Sequence, residues 1–487
     1  MGTFNGNKNG GRFAATKAKS KARSTGAGTQ FFLSALLLLS LLMVYTVIMQ
    51  MTHQQKAFEA STAVNLSLLA IFSLAAIGLL WAIIRTKAWK RALCLFLACT
   101  ILYLIAAFSN IPLVKKYRER WISTAWSTMR HQGLATFFFP DSVVKEVIER
   151  EQAGRDAQIG KNTGKLDAAE SERQNWVENM SGESSSNELD EELRNLPPDQ
   201  RRFYVLFYEL DRTSMEEWLR DHPEAAANGY DHIMINESCL YENGTTIRTK
   251  LGEKVLAIDT ENQVLLLEVD CDGSRGVLAV AKDNSRLHLL PAAHVGSYGE
   301  TVGSIAQRNN GVLAMTGSGF IDDGGVGNGG QIAGWAMCDG TTYGAHYGYG
   351  YKRIELHEDN WFYIQDAPAP VGEGTTDAME FTPALLTDGK RLDPGIWTSQ
   401  NPRACIGQSK RGEILMLCVE GRSLSSPGCS VEVCANVLLQ HDGLTALNCD
   451  GGTTAIMWFR GEPVIRCSNT AIPQGRYLPN AWVYVKR

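Results

Sequence analysis

Three long apolar runs dominate the pattern of the first quarter of the chain. They cover Phe31–Met49, Val64–Ile84 and Ala92–Val114, and only a short polar stretch near its end interrupts the third run. A helix needs about 20 residues to cross a hydrocarbon core of about 30 Å, and each run is long enough. Since no run shows a polar face at helical spacing, three buried helices of a soluble protein are a poor fit. The pattern therefore predicts three transmembrane helices within residues 31–114.

The next part of the chain is polar. Residues 115–151 read as an amphipathic juxtamembrane helix that the sequence FFFP interrupts at 137–140. Residues 152–200 are rich in acidic and small polar side chains, so we expect a linker or stalk there and not a folded core. The segment Arg201–His222 then predicts a short helical approach to the following domain.

From about Asp231 onward, short β-like runs alternate with Gly, Asp and Asn turns. Two helical patches, 301–308 and 431–441, carry apolar residues at i, i+3, i+4 spacing. The pattern predicts a strand-dominated, mixed α+β domain over residues 201–487. The predicted strands are 254–259, 264–270, 276–282, 286–291, 311–316, 361–366, 413–420, 454–460 and 481–487.

Positive charge orients the membrane segment. Residues 1–30 contain six Lys or Arg and no acidic residue, so we expect a disordered, basic cytoplasmic tail. The basic loop Arg85–Arg91 should share that side, which leaves everything after Val114 outside the cell, although the basic cluster Lys115–Arg120 argues the opposite. The first run is too long for a cleaved signal peptide. The sequence thus predicts a multi-pass protein of the cell membrane, integral in the lipid bilayer, with an extracytoplasmic C-terminal domain.

Composition and charge limit which molecules and metals the sequence predicts as partners. A formal net charge of −5 and a pI near 6.0 give no reason to expect nucleic acid. The chain has 11 Cys but no CxxC pair, and His288 and His294 lie far in sequence from any Cys or acidic cluster, so neither a metal nor another cofactor is predicted. Cys429 and Cys434 are close enough in sequence for a disulfide, but two buried free thiols fit equally well.

The familiar motifs HExxH, GxSxG and the P-loop are missing, and two other stretches attract attention first. The Gly-rich stretch Thr316–Gly330, which includes Ser318 and Asp322, could let the backbone approach an anion closely, or it could be a plain flexible loop. The stretch NPRACIG places Arg403 at the start of a predicted strand. A guanidinium suits phosphate or carboxylate, but a surface salt bridge is an equal alternative.

A third set of candidates lies where two predicted strands run into turns. Glu420 and Arg422 follow one strand in VEGR, and Asp450 follows another in NCDGGTT. Loops at strand ends commonly carry catalytic groups, although Asp-Gly-Gly is also an ordinary turn.

The order of six short motifs in this chain resembles the phosphodiester glycosidase family. The motifs are GSGF, GNGG, NPRACIG, VEGR, NCDGGTT and LPNAWVYV. That family includes the lysosomal uncovering enzyme and bacterial proteins described as exopolysaccharide biosynthesis proteins. Its typical motifs are NGGFF, NPRTAIG, VDGR and N-L-DGGGSS, and the resemblance covers about residues 250–487. Here Glu420 stands for Asp, Thr453-Thr454 replaces Gly-Ser, and the first motif lacks its Asn and one Phe.

The resemblance implies a hydrolase that cleaves a sugar-1-phosphodiester on the sugar side, within an extracellular or cell-envelope glycan. A non-catalytic module that binds an anionic glycan or an envelope partner is the alternative, and glycan transfer would use the same residues. Asp450 and Glu420 would act at the anomeric carbon or on the attacking water. The implied substrate-binding residues are Arg403, Arg422, Asn448, Gly451, Gly452, Thr453, Ser318 and Asp322.

Overall fold

The structure is a computed structural model that divides into two compact units. One unit comprises residues 1–126 and 131–145, and the other comprises 127–130 and 146–487. Most of the predicted basic tail lies outside the described residues, and residues 26–30 begin the first helix. The described residues are 26–53, 62–85, 89–128, 132–162, 165–181, 191–236, 240, 244–346, 350–392 and 398–487.

Helices make up most of the first half of the described chain, and two more lie between strands of the second half. The helices are α1 Gly26–His53, α2 Thr62–Arg85, α3 Trp89–Phe108, α4 Pro112–Trp126, α5 Gly133–Phe138, α6 Asp141–Asp156, α7 Asp167–Ser181, α8 Glu191–Arg194, α9 Pro198–Leu206, α10 Arg212–Asp221, α11 Val302–Arg308 and α12 Val431–Gln440.

The apolar N-terminal helices differ in one respect from the prediction. Among the described residues, α1 and α2 are long and apolar enough to cross a membrane, whereas the third predicted span is a pair of helices bent by 75°. Helix α3 ends at Phe108 because Pro112 lacks an N–H group and its ring clashes with the carbonyl four residues earlier. Arg118 of α4 donates to the carbonyl of Ser109 at 2.9 Å, which satisfies a free acceptor at the break. The chain thus has two candidate spans, or three if the bent pair counts as one.

The segment that the sequence predicts as a linker is partly helical and belongs to the second unit. After α6, the amide of Gln158 donates to the carbonyl of Ala384 at 3.1 Å and is buried. Within α7, Glu170 accepts a hydrogen bond from the indole of Trp361 at 3.0 Å. Each bond joins residues separated by more than 190 positions, so this stretch packs against the strand-rich part of the chain.

Strands dominate the chain after residue 233, as the sequence predicts. Every predicted strand overlaps an observed one, and α11 and α12 match the two predicted helical patches. The strands are β1 Met234–Asn236, β2 Lys254–Asp259, β3 Val264–Asp270, β4 Arg275–Ala281, β5 Leu287–Pro291, β6 Gly311–Thr316, β7 Trp335–Cys338, β8 Thr341–Gly344, β9 Lys352–His357, β10 Phe362–Asp366, β11 Thr375–Phe381, β12 Ala384–Thr387, β13 Lys390–Arg391, β14 Arg403–Ser409, β15 Ile414–Val419, β16 Gly443–Asn448, β17 Met457–Phe459, β18 Glu462–Pro463 and β19 Asn480–Val485.

The strands form three antiparallel sheets. A nine-stranded sheet has the order β1-β2-β3-β4-β15-β14-β16-β12-β13, and two five-stranded sheets have the orders β10-β9-β11-β7-β8 and β18-β17-β6-β19-β5. Short turns connect β2, β3 and β4 as a meander. The central strands β15, β14 and β16 are joined by pairings that bring distant segments together.

Both faces of the nine-stranded sheet are buried, which explains why its strands read as continuous apolar runs. Along β3, Leu266 points to a core shared with the two smaller sheets, while Leu265 and Leu267 point to the opposite face. Helices α9, α10 and α12 cover that opposite face. Each fully buried Leu contributes about 1.5–3 kcal/mol by removal from water.

Candidate active site

Three of the predicted motifs meet at one edge of the nine-stranded sheet. Arg403 at the start of β14 pairs with Val419 at the end of β15, and Cys405 pairs with Asn448 at the end of β16. Because neighbouring strands are antiparallel, the chain entering β14 and the chains leaving β15 and β16 emerge at the same edge. The N–H of Gly452 donates to the carbonyl of Pro402 at 3.0 Å and closes this arrangement.

The Gly-rich loop after β6 joins the same edge from a smaller sheet. The N–H of Asp450 donates to the carbonyl of Gly317 at 3.2 Å. Buried Asn480 fixes the loop, since its side chain accepts from the N–H of Ser318 at 2.8 Å and donates to the Ser318 hydroxyl at 3.0 Å. Gly317 is required here because a Cβ atom would lie 2.3 Å from the Asn480 side-chain oxygen.

Asp450 is the carboxylate at the centre of this junction. Burial raises its pKa from 3.8 to about 6, although hydrogen bonds from Thr454 and from the N–H of Gly451 oppose that rise. The positive charge of Arg476 lowers the pKa and the negative charge of Asp322 raises it further. A carboxylate with a pKa close to neutrality is suited to proton transfer or nucleophilic attack.

Asp322 and Arg476 form a bidentate ion pair beside Asp450. Asp322 is buried, and its carboxylate accepts from both Arg476 terminal nitrogens and from the N–H of Gly327. Arg476 also donates to the carbonyl of Gly327 at 2.9 Å, and its guanidinium lies 4.6 Å from the centre of the Phe320 ring. The ion pair fixes Asp322, so this predicted substrate-binding residue has its oxygens occupied.

Sequence reasoning missed Arg476. It lies in a turn-rich segment ahead of β19, 154 positions from Asp322, and no motif marks it. The available signal was its position two residues before Leu478, where the motif LPNAWVYV of the family resemblance begins.

Arg422 is the exposed cation of the junction. It adopts a left-handed backbone conformation with φ of 62°, and its guanidinium donates weakly to the Asn401 side chain at 3.4 Å. A Cβ atom on Gly452 would lie 3.0 Å from an Arg422 terminal nitrogen, so the guanidinium lies over the Asp-Gly-Gly turn. Among the described residues no carboxylate lies within ion-pair distance of Arg422.

Glu420 and Arg403 are both hydrogen-bonded to other groups of the protein. Buried Glu420 accepts from Arg275 at 2.8 Å and from the N–H of Arg466 at 3.2 Å. Arg403 is also buried and donates to the carbonyl of Cys429 and to both oxygens of Ser399. These bonds tie neighbouring loops together, so both charged groups support the edge of the sheet in this structure.

The remaining predicted residues shape the turn. Asn448 is buried, donates to the carbonyl of Thr382 at 3.0 Å and accepts from the Cys405 thiol. The N–H of Gly451 donates to the Asp450 carboxylate at 3.0 Å, and that of Gly452 is used by Pro402. The expected backbone donors for an anion at 451–452 are therefore engaged within the protein. Thr453 is partly buried next to them, and its carbonyl accepts from the Cys467 thiol.

Residues 309–485 match the family model of phosphodiester glycosidases. This part of the chain is a phosphodiester glycosidase domain. A 194-residue stretch is also 27% identical to the SPbeta prophage-derived uncharacterized protein YomE of Bacillus subtilis strain 168, over 37% of this chain. The chain spans about a quarter of the length of that relative, 27% of it.

Two solved structures align with under half of the chain. The catalytic domain of zebrafish N-acetylglucosamine-1-phosphodiester α-N-acetylglucosaminidase, auto-inhibited by its pro-peptide, is 16% identical, with a TM-score of 0.39 over 46% of this chain and 82% of its own. A hypothetical protein from Synechocystis is 14% identical, with a TM-score of 0.31 over 46% of this chain and 62% of its own.

The phosphodiester glycosidase domain thus gathers the predicted residues into two groups. Asp450, Gly451 and Gly452 form one turn, over which the guanidinium of Arg422 lies, and Ser318 and Asp322 are on the adjoining loop. Arg403, Glu420 and Asn448 lie at the same edge but are committed to bonds within the protein, and their functional roles remain predictions.

Other features of the phosphodiester glycosidase domain lie apart from this junction. Within the described residues, no group of three or more His, Cys, Asp or Glu is arranged to hold a metal. Cys429 and Cys434 are free thiols with sulfur atoms 3.5 Å apart. A surface depression of about 310 Å³, lined partly by Gln307, Trp458 and Lys486, contains none of the predicted site residues.

Proposed function

We propose that this chain is a membrane-anchored glycosidase that hydrolyses a sugar-1-phosphodiester between the anomeric carbon and the phosphate. The observation that carries the proposal is Asp450, whose carboxylate has a pKa of about 6 at the junction of three family motifs. The apolar helices α1 and α2 and the bent pair α3–α4, taken as a third crossing, are the anchor. The positive charge at Arg85–Arg91 favours a cytoplasmic position for the loop between the second and third crossings, so the third crossing makes the following domain extracytoplasmic.

The chemistry of the leaving group explains why a single carboxylate is enough for this hydrolysis. Cleavage on the sugar side expels a phosphate monoester whose second pKa is about 6, so it departs near neutral pH with little protonation. Strong general-acid assistance, which an ordinary glycosidase needs, is less important here. The reaction still needs a group that attacks the anomeric carbon or removes a proton from the attacking water.

Asp450 supplies that group. With a pKa of about 6 it is mostly ionised at neutral pH, yet more basic than an ordinary aspartate. In a partly buried site its negative charge also stabilises the positive charge that develops on the sugar ring in the transition state. The neighbouring Asp322 is neutralised by Arg476, so Asp450 is the better candidate for the chemical step.

Arg422 is the group best placed to bind the phosphate. Its guanidinium lies over Gly452, close to Asp450, and offers donors that other side chains leave largely unused. A phosphate bound there would place the anomeric carbon towards Asp450. In this proposal Arg403 and Glu420 assist indirectly, because they hold the turns that carry Arg422 and Asp450.

The test is hydrolysis of sugar-1-phosphodiesters by the full-length protein purified in detergent. The first probe is the methyl phosphodiester of N-acetylglucosamine, chosen from the substrate named for the zebrafish relative, followed by the glucose and galactose analogues. Asp450→Asn removes the basic group, so we expect free-sugar release to fall by about 10²–10⁴-fold.

Asp388→Asn is the matched control. Asp388 lies in the β12–β13 turn with φ of 50°, a conformation that asparagine tolerates, and it should retain full activity. Sugar release at the wild-type rate by Asp450→Asn would refute the assignment. Glycan binding by a folded wild-type protein, without sugar release from any diester, would instead favour a binding module.

A further inference from the structure

Four exposed apolar side chains lie around the Asp322–Arg476 pair. They are Tyr298, Ile321, Val326 and Tyr477, with exposed fractions of 49%, 47%, 77% and 58%, and we name them the collar. Of the seven large apolar side chains that are exposed among the described residues after 200, these four belong to the collar. Concentrated apolar exposure of this kind marks ligand-binding or interaction surfaces.

The collar stands on a well-fixed backbone. Its three segments, 294–300, 321–330 and 476–478, exchange main-chain hydrogen bonds, among them Gly299 N–H to Asn328 O at 3.1 Å and Leu478 N–H to Glu300 O at 2.8 Å. A Cβ atom on Gly329 would lie 2.0 Å from the carbonyl oxygen of Tyr477. The close approach of these segments holds the exposed side chains in place, which lowers the entropy lost on binding.

The collar and Arg422 approach the Asp450 turn through different segments of the chain. Ile321 and Tyr477 immediately flank Asp322 and Arg476, whose charges act on the carboxyl of Asp450. Arg422 instead approaches the Asp450 turn through Gly452. If Arg422 holds the phosphate, the collar faces the glycosyl part of the substrate.

We propose that the collar binds the glycosyl side of the substrate and selects for a chain of two or more sugars. The inference rests on the proposed function, because Asp450 and Arg422 define which end of the substrate it meets. Sugar rings have apolar C–H faces that pack on tyrosine rings and polar edges that need hydrogen-bond partners. The collar offers both, since two of its four exposed side chains are tyrosines, whose hydroxyl groups can exchange hydrogen bonds with a sugar.

A glycan fits this surface better than a lipid chain does. Two of the four apolar groups are tyrosines that carry a hydroxyl, and the Tyr298 ring packs against His294 with ring centres 4.6 Å apart and a tilt of 33°. An alkyl chain would remove water from the Asp322–Arg476 pair and from the Asn328 amide without offering either of them a hydrogen bond in return. The collar extends over three segments, and this extent suits several linked sugars.

The experiment compares the methyl phosphodiesters of N-acetylglucosamine and of its β-1,4-linked trimer. Binding to full-length Asp450→Asn protein is measured by calorimetry, and hydrolysis is measured with Asp450 intact. We expect the trimer to bind at least about 10-fold more tightly than the monomer. Tyr298→Ala and Tyr477→Ala should each remove most of that advantage while leaving binding of the monomer within about twofold.

Leu251→Ala is the control, since Leu251 is equally exposed, at 61%, but lies in the turn before β2. The inference would be overturned by equal affinity for the two diesters or by no binding of either. It would also be overturned if the tyrosine variants lost affinity for the monomer and the trimer equally. Displacement of the trimer by geranylgeranyl phosphate alone, and not by free chitotriose, would reassign the collar to a lipid. If the trimer advantage depends on the tyrosines but the wild-type protein releases no sugar, the collar stands and the proposed hydrolysis fails.

Discussion

At the scale of single residues, Asp450 connects pH to activity. Its folded-state pKa of about 6 means that the basic form is a minority at pH 5 and predominates at pH 7.5. We therefore predict that kcat/KM for a sugar-1-phosphodiester rises with pH through a midpoint near 6 and then levels off. A rate profile measured from pH 4.5 to 8 checks this, and a flat profile between pH 5 and 7 would contradict it.

The same raised pKa predicts how stability depends on pH. The folded protein binds the Asp450 proton more tightly than the unfolded chain, whose ordinary pKa is 3.8, so protonation stabilises the folded state at low pH. This contribution is complete below the unfolded pKa and is lost as pH rises through about 6. Asp450→Asn stays neutral, so its unfolding temperature should exceed that of the wild type at pH 7.5 by more than at pH 4.5. Thermal unfolding of both proteins, with Asp388→Asn as reference, measures the difference.

The two arginines near the junction should respond differently to mutation. Arg422 has few bonds within the protein, so Arg422→Ala should raise KM about 10-fold or more and leave the unfolding temperature nearly unchanged. Arg403 donates to buried Ser399 and Cys429, so Arg403→Ala should lower the free energy of unfolding by about 1–3 kcal/mol. Kinetics and denaturant unfolding of both variants separate these effects, and equal losses of stability would contradict the distinction.

At the scale of elements, Asn480 at the start of β19 positions the loop that follows β6. Asn480→Ala removes both bonds to Ser318, whereas Ser318→Ala removes only the hydroxyl contact at 3.0 Å. We predict that Asn480→Ala costs about 1–3 kcal/mol of stability and more activity than Ser318→Ala does, because the buried N–H of Ser318 is left unpaired. Unfolding curves and rates for the two variants provide the comparison, and a larger effect of Ser318→Ala would contradict the assigned role.

The strands were predictable because their residue types and lengths are local properties. The runs at 264–270 and 311–316 match β3 and β6 in full, since strands buried on both faces need apolar side chains throughout. The break at Pro112 follows from local chemistry too, but the apolar pattern alone continues across it. Side-chain partners were not predictable from the sequence. Glu420, for example, pairs with Arg275, 145 positions away, and only the register of the sheet brings these two residues together.

At the scale of the whole molecule, the proposed topology can be tested with cysteine chemistry. Described cysteines after residue 200 are buried, and Ser425 lies on an exposed turn after β15. We predict that Ser425→Cys reacts with a membrane-impermeant maleimide on intact cells, because the domain is extracytoplasmic in our proposal. The unmodified protein gives the background, and labelling of Ser425→Cys only after lysis would place the domain inside the cell.

The two edge strands of the nine-stranded sheet, β1 and β13, affect how neighbouring copies of the protein meet on a membrane. In the described part of the chain, β1 has three residues and β13 has two, so each margin presents few unpaired backbone groups. Proteins confined to a surface meet one another far more often than proteins free in three dimensions, and long exposed strand margins then promote aggregation. Short edge strands lower the chance that neighbouring copies of this domain pair through this sheet when the chain is anchored in a membrane.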